Sequence, residues 1–223
     1  MNFNYANSLR SSFPALASCC LLVEGIDQQA DVSLPVIDFS RQAVARLSGG
    51  TESGLTEIQA WRHAFVLMGL KPTQYRCAAE SLLRRLRKEG LLPTIFPLID
   101  LCNALSLAFA IPIAVFDRQK INGDLQVCYA QGNEIYQTFS GTTESPSVGE
   151  VIFADAAGYA HARRWTHRQS GYSAVSQYTT QALIVMEAMH DTATADIAAL
   201  SQVLTQQIKN IWPGSMVTPI SQE

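Results

Sequence analysis

Charge is scarce in this 223-residue chain: 16% of positions are charged and 48% are hydrophobic. That balance excludes a disordered, solvating segment and implies a sizeable buried core. Basic residues are also too few for a protein that coats DNA. The net charge is −3, so any grip on nucleic acid has to come from a local patch, and DNA is not an expected partner. Apolar runs are broken by charge or proline well short of the about 18 residues that span a bilayer. Residues 1–12 are polar, with Asn2, Asn4 and Asn7, and do not read as a secretory leader. Cysteine is limited to Cys19, Cys20, Cys77, Cys102 and Cys128, with no Cys-x-x-Cys spacing. An odd, unspaced set argues against a disulfide frame or a zinc knuckle and fits reduced thiols in the cytoplasm. Glycine-rich phosphate loops, Gly-x-Ser-x-Gly elbows and His-Glu-x-x-His helices are missing as well, so no cofactor is expected. His161 and His167 stand six apart without an acidic companion, and no metal site is expected.

What is present is a mixture of strands and helices without regular alternation, which predicts an α+β fold. Residues 13–26 read as a buried strand, and Asp38 opens a helix that stops near Gly49 and Gly50. Thr56 and Gln59 form a capping-box pattern ahead of Ile58, Trp61, Phe65 and Met68 at helical spacing. Residues 75–89 form the clearest helix, with Ala78, Leu82, Leu83 and Leu86 on one face and Gly90 closing it. Pro97 suits the first turn of another helix, running to about residue 108. A strand follows over 111–116. Asn122 and Gly123 then signal a hairpin turn into a strand over 125–130. Further strands are predicted at 134–139, 151–154 and 179–188, and an amphipathic helix at 191–211. Asp155 reads as a turn residue and His63 as a surface or packed helical residue. One domain is expected over 12–212, with flexible tails at 1–11 and 213–223.

Two basic clusters stand out. Arg84, Arg85, Arg87 and Lys88 crowd one helix end. There they either match the helix dipole from solvent or contact phosphates. Arg163, Arg164, Trp165, His167 and Arg168 follow one another closely. They either hold a phosphate and stack a base, or form a strand edge with paired arginines and a core tryptophan.

A further pattern narrows the reading. Ile95, Pro97, Leu98, Ile99, Asp100 and Asn103 precede a Pro112-led strand ending in Phe116 and Asp117. With the Asn122–Gly123 turn, the helix before it, residues 149–155 and the Arg164, Trp165, Arg168 set, this order resembles the tRNA-editing B3/B4 domain of phenylalanyl-tRNA synthetase beta chains. The resemblance covers roughly residues 12–210. It implies perpendicular β-sheet layers flanked by helices. It also implies hydrolysis of a wrongly attached amino acid from tRNA, since that domain removes tyrosine from the phenylalanine tRNA. The tRNA-charging domain has no counterpart, so ligation of amino acid to tRNA is not expected. Asn103 and Ser106 are the expected catalytic residues, sharing a helical face. Asp100, Ala114, Asp117 and Arg85 are expected at the substrate, and Arg84, Arg87, Lys88, Arg164 and Arg168 on RNA. Asp100 and Asn103 also fit a buried cap. Where the family carries a pocket histidine this chain has Ala114, and Phe96 replaces a polar residue. These changes favour a side chain other than tyrosine, and Ala114 also fits a second reading: a non-catalytic module that binds RNA or an amino acid.

Overall fold

The structure is a computed structural model that describes residues 1–221. Two sheets carry the fold. One has the order β11 (Met216–Ile220), β2 (Ala17–Glu24), β10 (Gln181–Ala188), β3 (Ile113–Asp117), antiparallel throughout. The other has the order β1 (Phe3–Tyr5), β4 (Leu125–Tyr129), β7 (Val151–Asp155), β8 (Ala160–Arg163), β9 (Arg168–Gln169). Here β1 runs parallel to β4 and the other pairs are antiparallel. A small ladder joins β5 (Tyr136–Gln137) to β6 (Thr143–Glu144). The helices are α1 (Asn7–Ser12), α2 (Ser33–Leu47), α3 (Thr56–Leu67), α4 (Ala78–Glu89), α5 (Pro97–Phe109) and α6 (Ala193–Ile211). The α+β expectation holds.

The central strand β10 is buried on both faces, because successive side chains of a strand point opposite ways. Leu183 and Val185 join a core that also contains Phe3, Trp61, Leu83, Phe116, Phe153 and Trp165. Ala182, Ile184 and Met186 join a second core with Leu101, Leu105, Leu200 and Leu204 of α5 and α6. One sheet is thus a partition between two apolar layers. Its continuous apolar run is what made β10 readable in the sequence.

Several boundaries moved. β2 begins at Ala17 rather than at residue 13. α2 begins at Ser33, where Asp31 accepts the Ser33 N–H at 2.9 Å; Asp38 lies inside the helix, 3.2 Å from Arg41. The capping box at Thr56 is not made: Leu55 is the cap residue and Thr56 is already helical. α4 starts at Ala78, where the Cys77 sulfur accepts the Glu80 N–H, and it ends as expected at left-handed Gly90. Asn122 and Gly123 do not close a hairpin, since β3 and β4 lie in different sheets. The turn is a crossover between them. The Asn122 N–H and side-chain amide both donate to Asp155, and Gly123 has φ +69° against Ala156. Asp155 is therefore a buried anchor of that crossover, more than a simple turn residue.

Residues of both expected tails enter the sheets. Phe3 and Leu9 are fully buried, and β1 pairs with β4 in register Phe3 with Leu125. At the other end β11 covers the edge of β2, Pro219 lying where an outer strand tolerates a missing donor. Residues 222 and 223 of the expected tail lie outside the described residues. The local sequence is polar around these short strands, so only their partners reveal them. If Phe3 anchors the sheet edge, Phe3→Ala should cost about 3–5 kcal/mol in denaturant unfolding. A cost below about 0.5 kcal/mol would show that the strand frays in solution.

Candidate functional site

α5 begins at Pro97, whose missing N–H suits the first turn. Its capping works from inside the helix: the Asp100 carboxylate accepts the Ile95 N–H at 2.9 Å. Burial pushes the Asp100 carboxyl up, and backbone N–H groups of Ile95 and Phe96 draw it down, leaving it raised overall. The Asp100 carboxylate thus holds the backbone just ahead of α5. Ser106 is buried and donates to the Ile111 carbonyl at 2.6 Å, fastening α5 to the segment that enters β3. That bond commits its hydroxyl proton to the joint between α5 and β3. Asp117 likewise caps the turn at 118–120, accepting from the Gln119 N–H and from the Thr179 hydroxyl. Asn103 is half-buried on α5 and does not line the cavity described next.

That cavity, about 70 Å³, lies beneath Ala114 between the two sheets, closed by Ala78 at the start of α4. Phe153, Ala162 and Trp165 form its apolar floor, and Thr166, His167, Arg168 and Gln169 its polar side. Trp165 and Phe153 keep the space beneath Ala114 small. Consecutive left-handed residues, Arg164 at φ 49° and Trp165 at φ 57°, swing the chain from β8 to β9 across this space. Side chains rarely hold such angles without restraint. The restraints are visible: the Arg164 N–H donates to Glu150, the Trp165 N–H to the Val151 carbonyl, and the Trp165 indole N–H to Glu187 at 2.8 Å. Trp165 is also held edge-on by Phe13 and Trp61.

The groups on the polar side are unequal. The Thr166 hydroxyl oxygen is buried with no partner. His167 Nδ1 is 2.8 Å from the Arg76 carbonyl and 3.3 Å from the Arg76 N–H. In the tautomer that donates Nδ1–H to this carbonyl, Nε2 is an acceptor. Burial lowers the His167 pKa, the Arg76 contact opposes this, and the charges of Arg164 and Arg168 lower it further. Together these influences leave the pKa lowered and favour the neutral ring. Gln169 donates to the Val115 carbonyl at 2.6 Å. Arg168 is exposed at the rim, and Arg164 lies 5.1 Å over the Tyr75 ring.

The second basic cluster thus divides. Arg163 is buried against Glu150 and Glu144, at 2.8 and 2.7 Å, and Trp165 is core; Arg164 and Arg168 remain near the cavity. The first cluster divides too. Arg84 and Arg87 turn toward Glu52, while Arg85 pairs with Glu89 in solvent and Lys88 is exposed. Thr166, Gln169 and Ala78 were not foreseen; the only signal was the density of polar groups after Trp165.

His161 has a different task. Its Nδ1 meets the Ser173 hydroxyl at 2.8 Å and its Nε2 lies 3.2 Å from Asp155. A serine, histidine and aspartate in contact invite a catalytic reading, but Ser173 and His161 have no exposure and no access to a reacting bond. The trio fastens β7, β8 and the approach to β10. The cysteines are free, with burial pushing the thiols of Cys20, Cys77 and Cys102 up. Among the described residues no group of three or more metal-ligating side chains gathers, and no helix is long and apolar enough to cross a membrane.

The chain belongs to the B3/4 domain family, whose model matches residues 60–209. It is 29% identical over 140 residues to the phenylalanine–tRNA ligase beta subunit of Bartonella quintana, covering 62% of this chain and 16% of that one. It is 36% identical over 73 residues to the same subunit of Cereibacter sphaeroides, covering 33% and 9%. The matches therefore span a small part of those subunits. A solved N-terminal fragment of the phenylalanyl-tRNA synthetase beta subunit from Pyrococcus horikoshii aligns over 97% of this chain and 50% of its own, with TM-score 0.55 and 11% identity, a likeness of fold.

Glu187 props the cavity wall through Trp165 and also accepts from the Tyr5 hydroxyl at 2.7 Å. Burial raises its pKa to about 7, against the pull of Trp165, Tyr5 and Arg10. The folded chain therefore keeps a proton that the unfolded chain releases near pH 4.5. Its stabilising contribution is complete below that pH and fades as pH rises through about 7, a loss on the order of 3 kcal/mol. Glu187→Gln should remove this slope and raise the melting temperature at pH 8 while leaving it nearly unchanged at pH 4.5. An unaltered pH profile in the variant would show that Glu187 is ionised in the fold.

Proposed function

We propose that the chain hydrolyses the ester between an amino acid and tRNA, holding a small apolar aminoacyl group beneath Ala114. The observation that carries this reading is the pairing, in one small cavity, of an unpartnered Thr166 hydroxyl with a neutral His167 whose Nε2 is free to accept. Membership in the B3/4 family and the relation to tRNA ligase subunits supply the substrate class. The ester is already activated, so the protein has only to orient a water and stabilise the developing oxyanion. His167 Nε2 takes the proton of the attacking water, the Thr166 hydroxyl donates to the carbonyl oxygen, and the ribose oxygen leaves with a proton returned from His167. Arg168, at the rim, meets the phosphates of the terminal nucleotides. The volume, about 70 Å³, suits a small aliphatic side chain and leaves no room for tyrosine.

A second reading, a module that binds aminoacylated RNA without hydrolysing it, draws support from the apolar floor and from Asn103 and Ser106 lying away from the cavity. A panel of tRNAs charged with different amino acids separates the two. The hydrolytic reading expects turnover of a small aliphatic ester, a fall of about 100-fold or more in kcat for His167→Gln, and loss of that substrate in Ala114→His, which fills the cavity. Thermal unfolding of both variants should stay near wild type. No cleavage of any panel member by wild type would leave the binding module.

A further inference from the structure

A second concavity, about 220 Å³, opens between α3, α4 and the turn at Glu52–Gly54. Arg62, Arg76, Arg84 and Arg87 line it, around the buried carboxylates of Glu52 and Glu80. Four guanidinium groups against two carboxylates make this enclosure positive in a chain whose net charge is −3.

The arginines are not used up by the glutamates. Arg87 binds Glu52 with two N–H groups, at 2.7 and 3.3 Å, while Arg84 stands off at 3.6 Å with its side chain 41% exposed. Arg62 donates to Glu80 Oε1 at 2.6 Å; Arg76 approaches the same oxygen at 3.6 Å and donates to the Thr73 carbonyl. Each guanidinium carries five N–H donors in a planar fork, so several remain for an oxyanion. The decisive atom is Glu80 Oε2, which is buried with no partner although its side chain is only 2% exposed. A purely structural ion-pair network would satisfy both oxygens of a carboxylate buried this deeply. Burial is the largest influence on Glu80 and leaves its pKa raised in spite of Arg62 and Arg76, in keeping with an unmet hydrogen bond.

We propose that this cleft is a second ligand site, holding one phosphate of an RNA strand on Arg76 and Arg84 while the adjacent ribose 2′-hydroxyl donates to Glu80 Oε2. Phosphate alone answers the arginines but offers the glutamate no donor. A deoxyribose strand answers the arginines and fails the glutamate in the same way. Ribose phosphate answers both, and the 2′-hydroxyl is the group by which RNA is told from DNA. The cleft is joined to the cavity beneath Ala114 by three consecutive residues: Arg76 lines the cleft, Ala78 lines the cavity, and the Arg76 backbone touches His167. The identification of the strand as the acceptor end of tRNA rests on the hydrolytic reading above; the preference for ribose phosphate does not.

The test uses binding alone, with no ester to cleave. A fluorescent single-stranded RNA ending in CCA, its DNA counterpart and 5′-AMP are titrated against the full chain over a salt series. Wild type should bind the RNA at least about fivefold more tightly than the DNA. Arg84→Gln should weaken RNA binding roughly three- to tenfold and flatten the salt slope by about 0.7. Glu80→Gln should bring RNA and DNA to similar affinity. Should Glu80→Gln fail to fold, RNAs carrying single 2′-deoxy positions make the same comparison on wild type, and one position should account for most of the RNA preference. Equal binding of RNA and DNA by wild type, or an Arg84→Gln variant with unchanged affinity and slope, overturns the proposal. Binding of 5′-AMP as tight as that of the oligonucleotide overturns the strand and makes the cleft a mononucleotide site. Deacylation lost with these binding results intact counts against the hydrolytic reading only, and the converse counts against this cleft only.

Discussion

The buried carboxyl of Glu187 is the constraint on which the molecule turns. It projects from the central strand into the core between the sheets and accepts hydrogen bonds from Tyr5 of β1 and Trp165 of the β8–β9 turn. Three segments far apart in sequence are thereby fixed to one atom. A lone carboxyl in an apolar core is costly when charged, and burial accordingly raises the Glu187 pKa to about 7. The Trp61 indole donates to the Glu187 backbone carbonyl at 3.3 Å, bringing α3 to the same point.

Everything above the cavity follows from the position of Trp165. Its left-handed backbone, with that of Arg164, directs residues 166–169 over the space beneath Ala114. Apolar packing would bury the indole without specifying its rotation; the hydrogen bond to Glu187 specifies it. Strain at the turn over this cavity, restrained by a buried acceptor behind it, holds the cavity wall on a rigid support. The small volume and the polar groups on one side are consequences of that arrangement.

Much of the fold was legible because local chemistry and tertiary context agree. Pro97 opens α5, Gly90 closes α4, and the apolar run of β10 is a strand buried on both faces. The failures have a common cause. Asn122 and Gly123 carry hairpin chemistry, yet the turn links two sheets, since pairing partners are chosen by side chains that the turn does not encode. β1 and β11 are short, of three and five residues, and are revealed by the neighbours they pair with. Of the site, Ala114 and Arg168 line the cavity, but Asp100, Ser106 and Asp117 spend their polar atoms on caps and joints. Identical residue types serve both purposes, and spacing along a helix does not reveal which acceptor lies within reach. The run at 161–168 mixed both outcomes: His161 and Arg163 inward and structural, His167 and Arg168 at the cavity.

The central claim is that an aminoacyl group sits beneath Ala114, against Trp165 and His167. The most direct test is a nitrogen–proton correlation spectrum of the protein titrated with a hydrolysis-resistant amide analogue of alanyl-adenosine. The Trp165 indole N–H and the His167 ring should shift in a saturable way, with the indoles of Trp61 and Trp212 much less affected. Shifts confined to other regions, or none at ligand concentrations that saturate binding by calorimetry, would contradict the account.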